Sequence, residues 1–573
     1  VLKDLLSLPT RRPLAPRQSL LFWLGLSLAF GLVYGILVWQ QAFSGEYVVQ
    51  DDARQHVFWM QRFVNPQAFP NDLIADYFES VAPAGYTWLY RIAATLGLDP
   101  LLTSKLLPPI LGLLSTVACF FTMLEMLPLP LAGFVASLLL NQTLWMNDDL
   151  VSATPRAFFY PLFLGFCYFL LRRWLLPCLG LILLQGWFYP QAVFLEAGLL
   201  VTMLVSWSEG RLRLSRSVRD YLFCGIGLAV CVAVMLPYAL GLSQFDPVVT
   251  LAEAQQMPEF QNGGRSDFFN DNPWKFWLTG LRSGLMPRMA RLPELLGVAL
   301  LLPVILGFRR AFPLTRQLQP AALLLPQMLA VSLFWFGAAH LLLFKLHLPS
   351  RYTQHTLRIL LCWAAAMTIV IGLDGLKHWA NQQADQPQRW RRWLTIGVAA
   401  ITAAALVLYP SYTPEFPRAR YIKGEQPALY QFFAQQPAET LIASLSEEAS
   451  NLPSFAQRSV YVAKEYAIPY HMGYYAPFRQ RVLEVIRAQY SPNLAELKQW
   501  MQTTGVEFWL LDRAAFTPKY LEESWIDQYP EALRQAKRWL KREPPALSRV
   551  AEDCVAFQNA RFVVLNSACI LSP

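Results

Sequence analysis

Apolar positions along this chain fall in long, nearly unbroken runs rather than in the short one-sided stripes of a soluble protein. The first run covers Ser19 to Trp39, about the 20 residues a helix needs to cross a bilayer. Others lie near 101–123, 128–146, 157–175, 176–189, 190–207, 221–242, 292–308, 321–344, 354–376 and 394–409. The stretch 176–207 is split at Tyr189-Pro190 into two short halves. Lys3, Arg11, Arg12 and Arg17 precede the first run and no clear small-x-small cleavage site follows it. It therefore reads as an uncleaved span, not a signal peptide.

The polar loops between runs alternate in character. Arg172 and Arg173 fill one loop, and Arg211, Arg213, Arg216 and Arg219 the next basic one. Arg309, Arg310 and Arg316 follow, and then Lys377, Arg389, Arg391 and Arg392. Loops of this kind stay cytoplasmic. Counting 176–207 as two spans keeps them in phase; a ten-span alternative puts 211–219 outside. The expectation is a polytopic α-helical membrane protein with about 11 transmembrane helices, its N-terminus cytoplasmic. The outside then receives 40–100, 147–156, 243–291, 345–353 and everything from 410 onward.

The tail has another texture. Short β-like runs at 440–445, 459–463, 506–511 and 561–565 alternate with helical patterns at 479–489 and 493–503. Residues 1–409 thus form a transmembrane domain and 410–573 an extracytoplasmic α/β domain. Composition agrees: 15% of the 573 residues are charged, against roughly 25% in soluble domains. The net charge of +9 sits mostly in the inside loops, so it sets orientation and is no nucleic-acid footprint. Eight Cys are too few and scattered for a metal framework. Cys554 and Cys569, outside the spans, either pair in an oxidising compartment or stay as buried thiols. Short loops and this pair suit a bacterial inner membrane.

Polar residues that lipid rejects mark candidate chemistry. Gln50-Asp51-Asp52-Ala-Arg54-Gln-His56 follows the first span, and adjacent carboxylates there call for a cation, whether a divalent metal or an arginine. The segment Ala82–Tyr90 reads as an amphipathic helix along the interface. Asn147-Asp148-Asp149 with Arg156 repeats the acidic pair on the same side. Together the pairs offer oxygen ligands for Mg or Mn, through Asp51 and Asp148. His347-Leu-Pro-Ser-Arg351-Tyr352 is a short outside loop whose forked guanidinium suits a phosphate near the headgroups. Gly263-Gly264-Arg265 lies in a long loop, read as mobile and able to fold over a substrate. Glu196 and Arg358 are charges inside runs. No nucleotide loop, Gly-x-Ser-x-Gly or His-Glu-x-x-His motif is present, and no internal repeat of a transporter.

This arrangement resembles the GT-C superfamily of membrane glycosyltransferases, which use polyprenyl-phosphate-linked sugars. Oligosaccharyltransferase catalytic subunits, protein mannosyltransferases and aminoarabinose transferases belong to it. The likeness is architectural over 1–409 and detailed only at Gln50–His56, Asn147–Arg156 and Pro349–Tyr352. The phrase from Asn451 to Glu465 also looks like the tail of bacterial members. The Trp-Trp-Asp motif of the oligosaccharyltransferase branch is missing; Glu507-Phe-Trp-Leu-Leu-Asp512 is no substitute.

The resemblance implies an inverting transfer of a sugar from a lipid phosphate to a glycan, lipid or protein acceptor. Asp52 is the implied base with Asp51 close second. Arg351, then Arg265 and Tyr352, would meet the donor phosphate. Asp148, Asp149, Arg156 and His56 would hold the acceptor or a metal. A transporter or lipid flippase, or a noncatalytic scaffold with an exported interaction domain, are the competing classes.

Overall fold

The computed structural model of the chain describes residues 17–208, 211–241, 243–381 and 389–572; Lys3, Arg11 and Arg12 lie outside them. Each predicted apolar run is helical over most of its length. These helices are α1 (Arg17–Ala42), α2 (Pro100–Met126), α3 (Pro130–Trp145), α4 (Phe159–Leu171), α5 (Leu175–Phe188) and α6 (Gln191–Thr202). They continue with α7 (Val218–Leu240), α8 (Glu294–Gly307), α9 (Leu324–Leu341), α10 (Gln354–Asn381) and α11 (Arg389–Val407). Helical segments over Arg17–Ala42, Pro100–Met126, Val218–Leu240, Pro320–Leu341 and Pro349–Asn381 are long and apolar enough to cross a membrane.

Local chemistry explains how the helices start and how they pack. Asp99 accepts from the amides of Leu101 and Leu102 at 2.8 and 3.1 Å, with Pro100 at the first helical position. A capping carboxylate and a proline without a donor are what a helix N-terminus favours. At Gly35 in α1 a Cβ would lie 2.9 Å from Pro109 of α2, and at Gly133 in α3 it would lie 2.8 Å from the Phe120 ring. Such close approach is how helices associate where no hydrophobic force separates lipid from protein. Small polar groups add hydrogen bonds inside the bundle: Ser137 donates to Ser27 (3.0 Å) and Asn141 to Thr116 (2.8 Å).

The segments expected on one side meet at one end of the bundle. There Arg156 reaches Asp52, Arg265 reaches Glu465, the Ser350 amide donates to Arg282 O and Arg420 reaches Asp148. At the other end Arg172 pairs with Glu125 (3.1 Å), and the Gln319 amide donates to Met126 O (2.9 Å). One element was not expected: β2 (Val205–Ser208) pairs antiparallel with β3 (Arg211–Leu214). This hairpin ends the run read as 190–207 and takes in the first half of the basic loop.

Between α1 and α2, β1 (Val48–Gln50) pairs antiparallel with β4 (Tyr421–Lys423), tying the first loop to the start of the tail. The tail carries a five-stranded sheet in the order β6-β5-β7-β9-β8. These strands are β5 (Leu441–Ala443), β6 (Ser459–Val460), β7 (Phe508–Asp512), β8 (Val555–Gln558) and β9 (Phe562–Asn566). β5 runs parallel to β6 and β7, and β9 antiparallel to β7 and β8. Helices α12 (Met472–Tyr490), α13 (Leu494–Thr504) and α14 (Pro530–Arg542) accompany it. Cys554 and Cys569 are disulfide-bonded, and the other six Cys are buried and free.

Two loop expectations change. The 82–90 stretch is helical within Ala84–Thr95, but of its aromatics only Trp88 faces outward, at 60% exposure; Tyr86 and Tyr90 are buried, and Tyr90 donates to Ala153 O at 3.0 Å. The 243–291 loop is docked rather than free. Amides of Val249, Met472 and Gly473 bond across to Tyr470, Pro247 and Phe245, and buried Glu259 accepts from Tyr475 at 2.7 Å. Gly263 takes φ +86°, and a Cβ on Gly264 would lie 2.5 Å from Glu259 O, so the glycines serve a tight turn.

Candidate functional site

The first acidic pair is set by what surrounds its backbone. Gln50, held in β1, turns its side-chain oxygen to the amides of Asp52 (2.8 Å) and Ala53 (3.3 Å). This caps the short helix Ala53–His56 and splays the two carboxylates. Arg54 folds back onto Asp51 at 2.5 Å, and also donates to Asn451 (2.9 Å) and Glu465 (3.1 Å). Asp52 instead accepts from Arg156. Its side chain keeps 29% exposure.

The second pair starts the short helix Asp148–Val151. Asp148 accepts from Arg420 at 2.9 Å. Asp149, 5% exposed, accepts from Arg358, which rises from within α10 and also donates to Tyr160 at 2.9 Å. The Tyr160 hydroxyl lies 3.0 Å from His355 Nδ1. Arg156 stands between the pairs, bonded to Asp52 and 3.7 and 3.6 Å from Asp148 and Asp149.

Asp52 is shifted in the opposite direction to Asp148 and Asp149. Burial pushes the Asp52 carboxyl up; Arg156 opposes this, and Asp148, Asp51 and Glu465 add to it, leaving Asp52 at about 6. Burial also acts on Asp149, but Arg358, His355, Arg156 and Arg351 outweigh it and hold that carboxyl well below the usual range. At Asp148, Arg156, Arg420 and Arg288 likewise overcome burial and the neighbouring Asp149, and the carboxyl falls below its usual value. Burial and then Arg156 push the His56 imidazole down to about 4, so it is neutral at pH 7. A carboxyl raised to about 6 and a fixed anion thus sit on either side of one guanidinium.

Other candidates are placed as follows. The Arg351 guanidinium lies near enough to Asp149 to help hold its charge, and has no hydrogen-bond or ion-pair partner among the described residues. The Tyr352 hydroxyl donates to Leu346 O at 2.9 Å and its ring packs by Trp335. Arg265 is occupied too, by Glu465 (3.0 Å) and the carbonyls of Lys464 and Glu465.

Reading the chain alone missed Arg420, Glu465, Tyr160, His355 and Arg288 as site residues, and left Arg358 as an isolated charge. Arg358 had a signal: a cation within a span demands an anion. The others carry none, because their partners are distant in sequence. Each of the four carboxylates in the two pairs faces its own arginine (Arg54, Arg156, Arg420 and Arg358). No group of three His, Cys, Asp or Glu converges among the described residues.

No protein-family model matches the chain, and no curated protein matches it. Solved structures do. The apo oligosaccharyltransferase of Archaeoglobus fulgidus is 14% identical, with TM-score 0.54 over 88% of this chain and 71% of that one. The same organism's AglB, in complex with an inhibitory peptide and a dolichol-phosphate, is 13% identical with TM-score 0.55 over 90% and 72%. ArnT from Cupriavidus metallidurans bound to undecaprenyl phosphate is 15% identical with TM-score 0.46 over 96% and 99%. At such identities the archaeal likeness shows the fold alone, which this chain shares over most of its length.

Proposed function

We propose that this chain is an integral-membrane glycosyltransferase that moves a sugar from a polyprenyl-phosphate-linked donor to an acceptor on the extracytoplasmic face. The observation that carries this reading is Asp52: a partly open carboxylate raised to about 6, beside arginines, on a GT-C fold. The archaeal neighbour that holds a dolichol-phosphate supports a lipid phosphate as the donor's leaving group. The site then faces the periplasm of a bacterial inner membrane, and the chain from 410 onward is exported.

In the reaction, an acceptor hydroxyl gives its proton to Asp52 while its oxygen attacks the anomeric carbon. The bond from that carbon to the phosphate oxygen breaks, and its electron pair leaves with the lipid phosphate. A single displacement inverts the anomeric centre. A base with a pKa near the working pH serves this best. Asp51 is less suited, since Arg54 already grips it. The growing phosphate charge is met by Arg351, whose guanidinium is free of protein partners among the described residues, with Arg288 next to the second acidic pair. Preorganised cations of this kind stabilise a leaving anion. Asp148 and Asp149 fix Arg156, and Arg156 and neutral His56 shape the acceptor side.

The test is transfer from polyprenyl-phosphate-linked sugars in proteoliposomes. Asp52→Asn should lose roughly 10²- to 10⁴-fold in rate, the range of general-base catalysis, while inserting and folding normally. Asp51→Asn should lose less. Full activity in both variants would remove the reading.

A further inference from the structure

Glu465 sits in the turn Lys464–Tyr466, beyond the end of the edge strand β6. Two segments from elsewhere in the chain converge on it. Arg54 of the first loop donates to its Oε2 at 3.1 Å, and Arg265 of the 243–291 loop to its Oε1 at 3.0 Å. Gln55 donates to the same Oε1, and at 3.1 Å to its backbone carbonyl. The carboxylate is 14% exposed. Its neighbours complete the grip: Asn451 accepts from Arg54, the Tyr466 hydroxyl donates to Arg54 O (3.3 Å), and Gln528 accepts from the Arg265 amide (3.3 Å).

A carboxylate that receives two guanidiniums at once is a strong, directional joint. Here it connects to Asp52 through two residues: Glu465 holds Arg54, Arg54 holds Asp51, and Asp51 adjoins Asp52. The β1–β4 ladder fixes the other flank of the same segment. Without Glu465, Arg54 keeps Asp51 and Asn451 but loses the contact that aims it. Arg265 loses its only carboxylate partner among the described residues.

We infer that Glu465 is a positioning residue through which the C-terminal part sets the geometry of the Asp51-Asp52 pair and pins the Arg265 loop beside it. This rests on the transferase reading above. It makes the tail a component of the site rather than an appended module. The charges facing Asp52 are Arg156, Asp148, Asp51 and Glu465, with neutral His56 alongside. Removing the negative charge of Glu465 therefore makes Asp52 more acidic.

The experiment compares pH–rate profiles of full-length wild type, Glu465→Gln and Glu465→Asp, with Asp52→Asn as control. Glu465→Gln should lower kcat roughly 10- to 100-fold, as a misplaced reacting group does. It should move the acidic limb to lower pH and leave KM for the lipid donor nearly unchanged. Glu465→Asp keeps the charge but shortens the reach, so the limb should stay in place while kcat still falls. Should Glu465→Gln fail to fold, Glu465→Asp alone decides, and a wild-type rate there overturns the role. A dead Asp52→Asn beside a Glu465→Gln of normal rate and unmoved limb also overturns it, leaving the transferase intact. An active Asp52→Asn removes both.

Discussion

Asp51-Asp52 and Asp148-Asp149 are the same dipeptide at the same end of the bundle, and their surroundings make them different instruments. Asp149 is 5% exposed and locked to an arginine rising from within a span. Asp52 is 29% exposed and shares its arginine with the other pair. Burial pushes both carboxyls up, but only at Asp149 does surrounding positive charge win. Asp149 is therefore held charged against its arginines, while Asp52 is held at about 6. Sequence identity of a motif does not decide its role; the count and distance of neighbouring cations do.

The sharpest way to break this contrast is stability. Asp149→Asn leaves Arg358 buried without its anion and should cost about 3–5 kcal/mol, read as a lower unfolding temperature in detergent. Asp52→Asn should leave that temperature nearly unchanged. Equal losses in the two variants would erase the division of labour.

Next in size is donor binding. Removing a hydrogen-bonding charge typically costs about 1.5–3 kcal/mol. Arg351→Ala should accordingly raise KM for the lipid-linked donor roughly 10- to 100-fold, measured in initial rates. Arg265→Ala should change donor KM far less, because Glu465 already occupies that guanidinium.

pH separates the pairs more finely. Transfer should fall about tenfold per pH unit below the Asp52 midpoint, which lies at about 6. Stability should carry opposite signs. A raised carboxyl binds its proton more tightly in the folded than in the unfolded protein. The Asp52 contribution therefore declines as pH rises from its ordinary value of 3.8 to about 6. The depressed Asp149 contributes fully above its ordinary value and loses that as pH falls. The smallest expected effect is that of a chelator: with an arginine at every carboxylate, EDTA should leave the transfer rate unchanged, and a strict need for added Mg or Mn would replace arginine by metal in the scheme.

The helices were legible because lipid forces them to be written as continuous apolar runs. The acidic pairs were legible because charge is conspicuous at span ends. What joins them was not. Arg358 and Asp149 are 209 positions apart, and Arg54 and Glu465 are 411, so no local pattern links them. The hydrogen bond of the Tyr352 hydroxyl to Leu346 O depends on a turn that no local pattern announces. The pairing of 205–208 with 211–214 was not read because its first strand overlaps the end of an apolar run, although the Arg-Leu-Arg-Leu alternation at 211–214 has strand period. The docking of the 243–291 loop depended on surfaces of the tail.

The central claim is that a lipid phosphate is met where the two acidic pairs converge. A structure of the full-length protein with undecaprenyl phosphate tests it most directly. The phosphate should lie within hydrogen-bonding distance of Arg351, facing Asp52, with the acyl tail leaving between helices into the bilayer. A headgroup bound away from Arg351 and from both acidic pairs would contradict it.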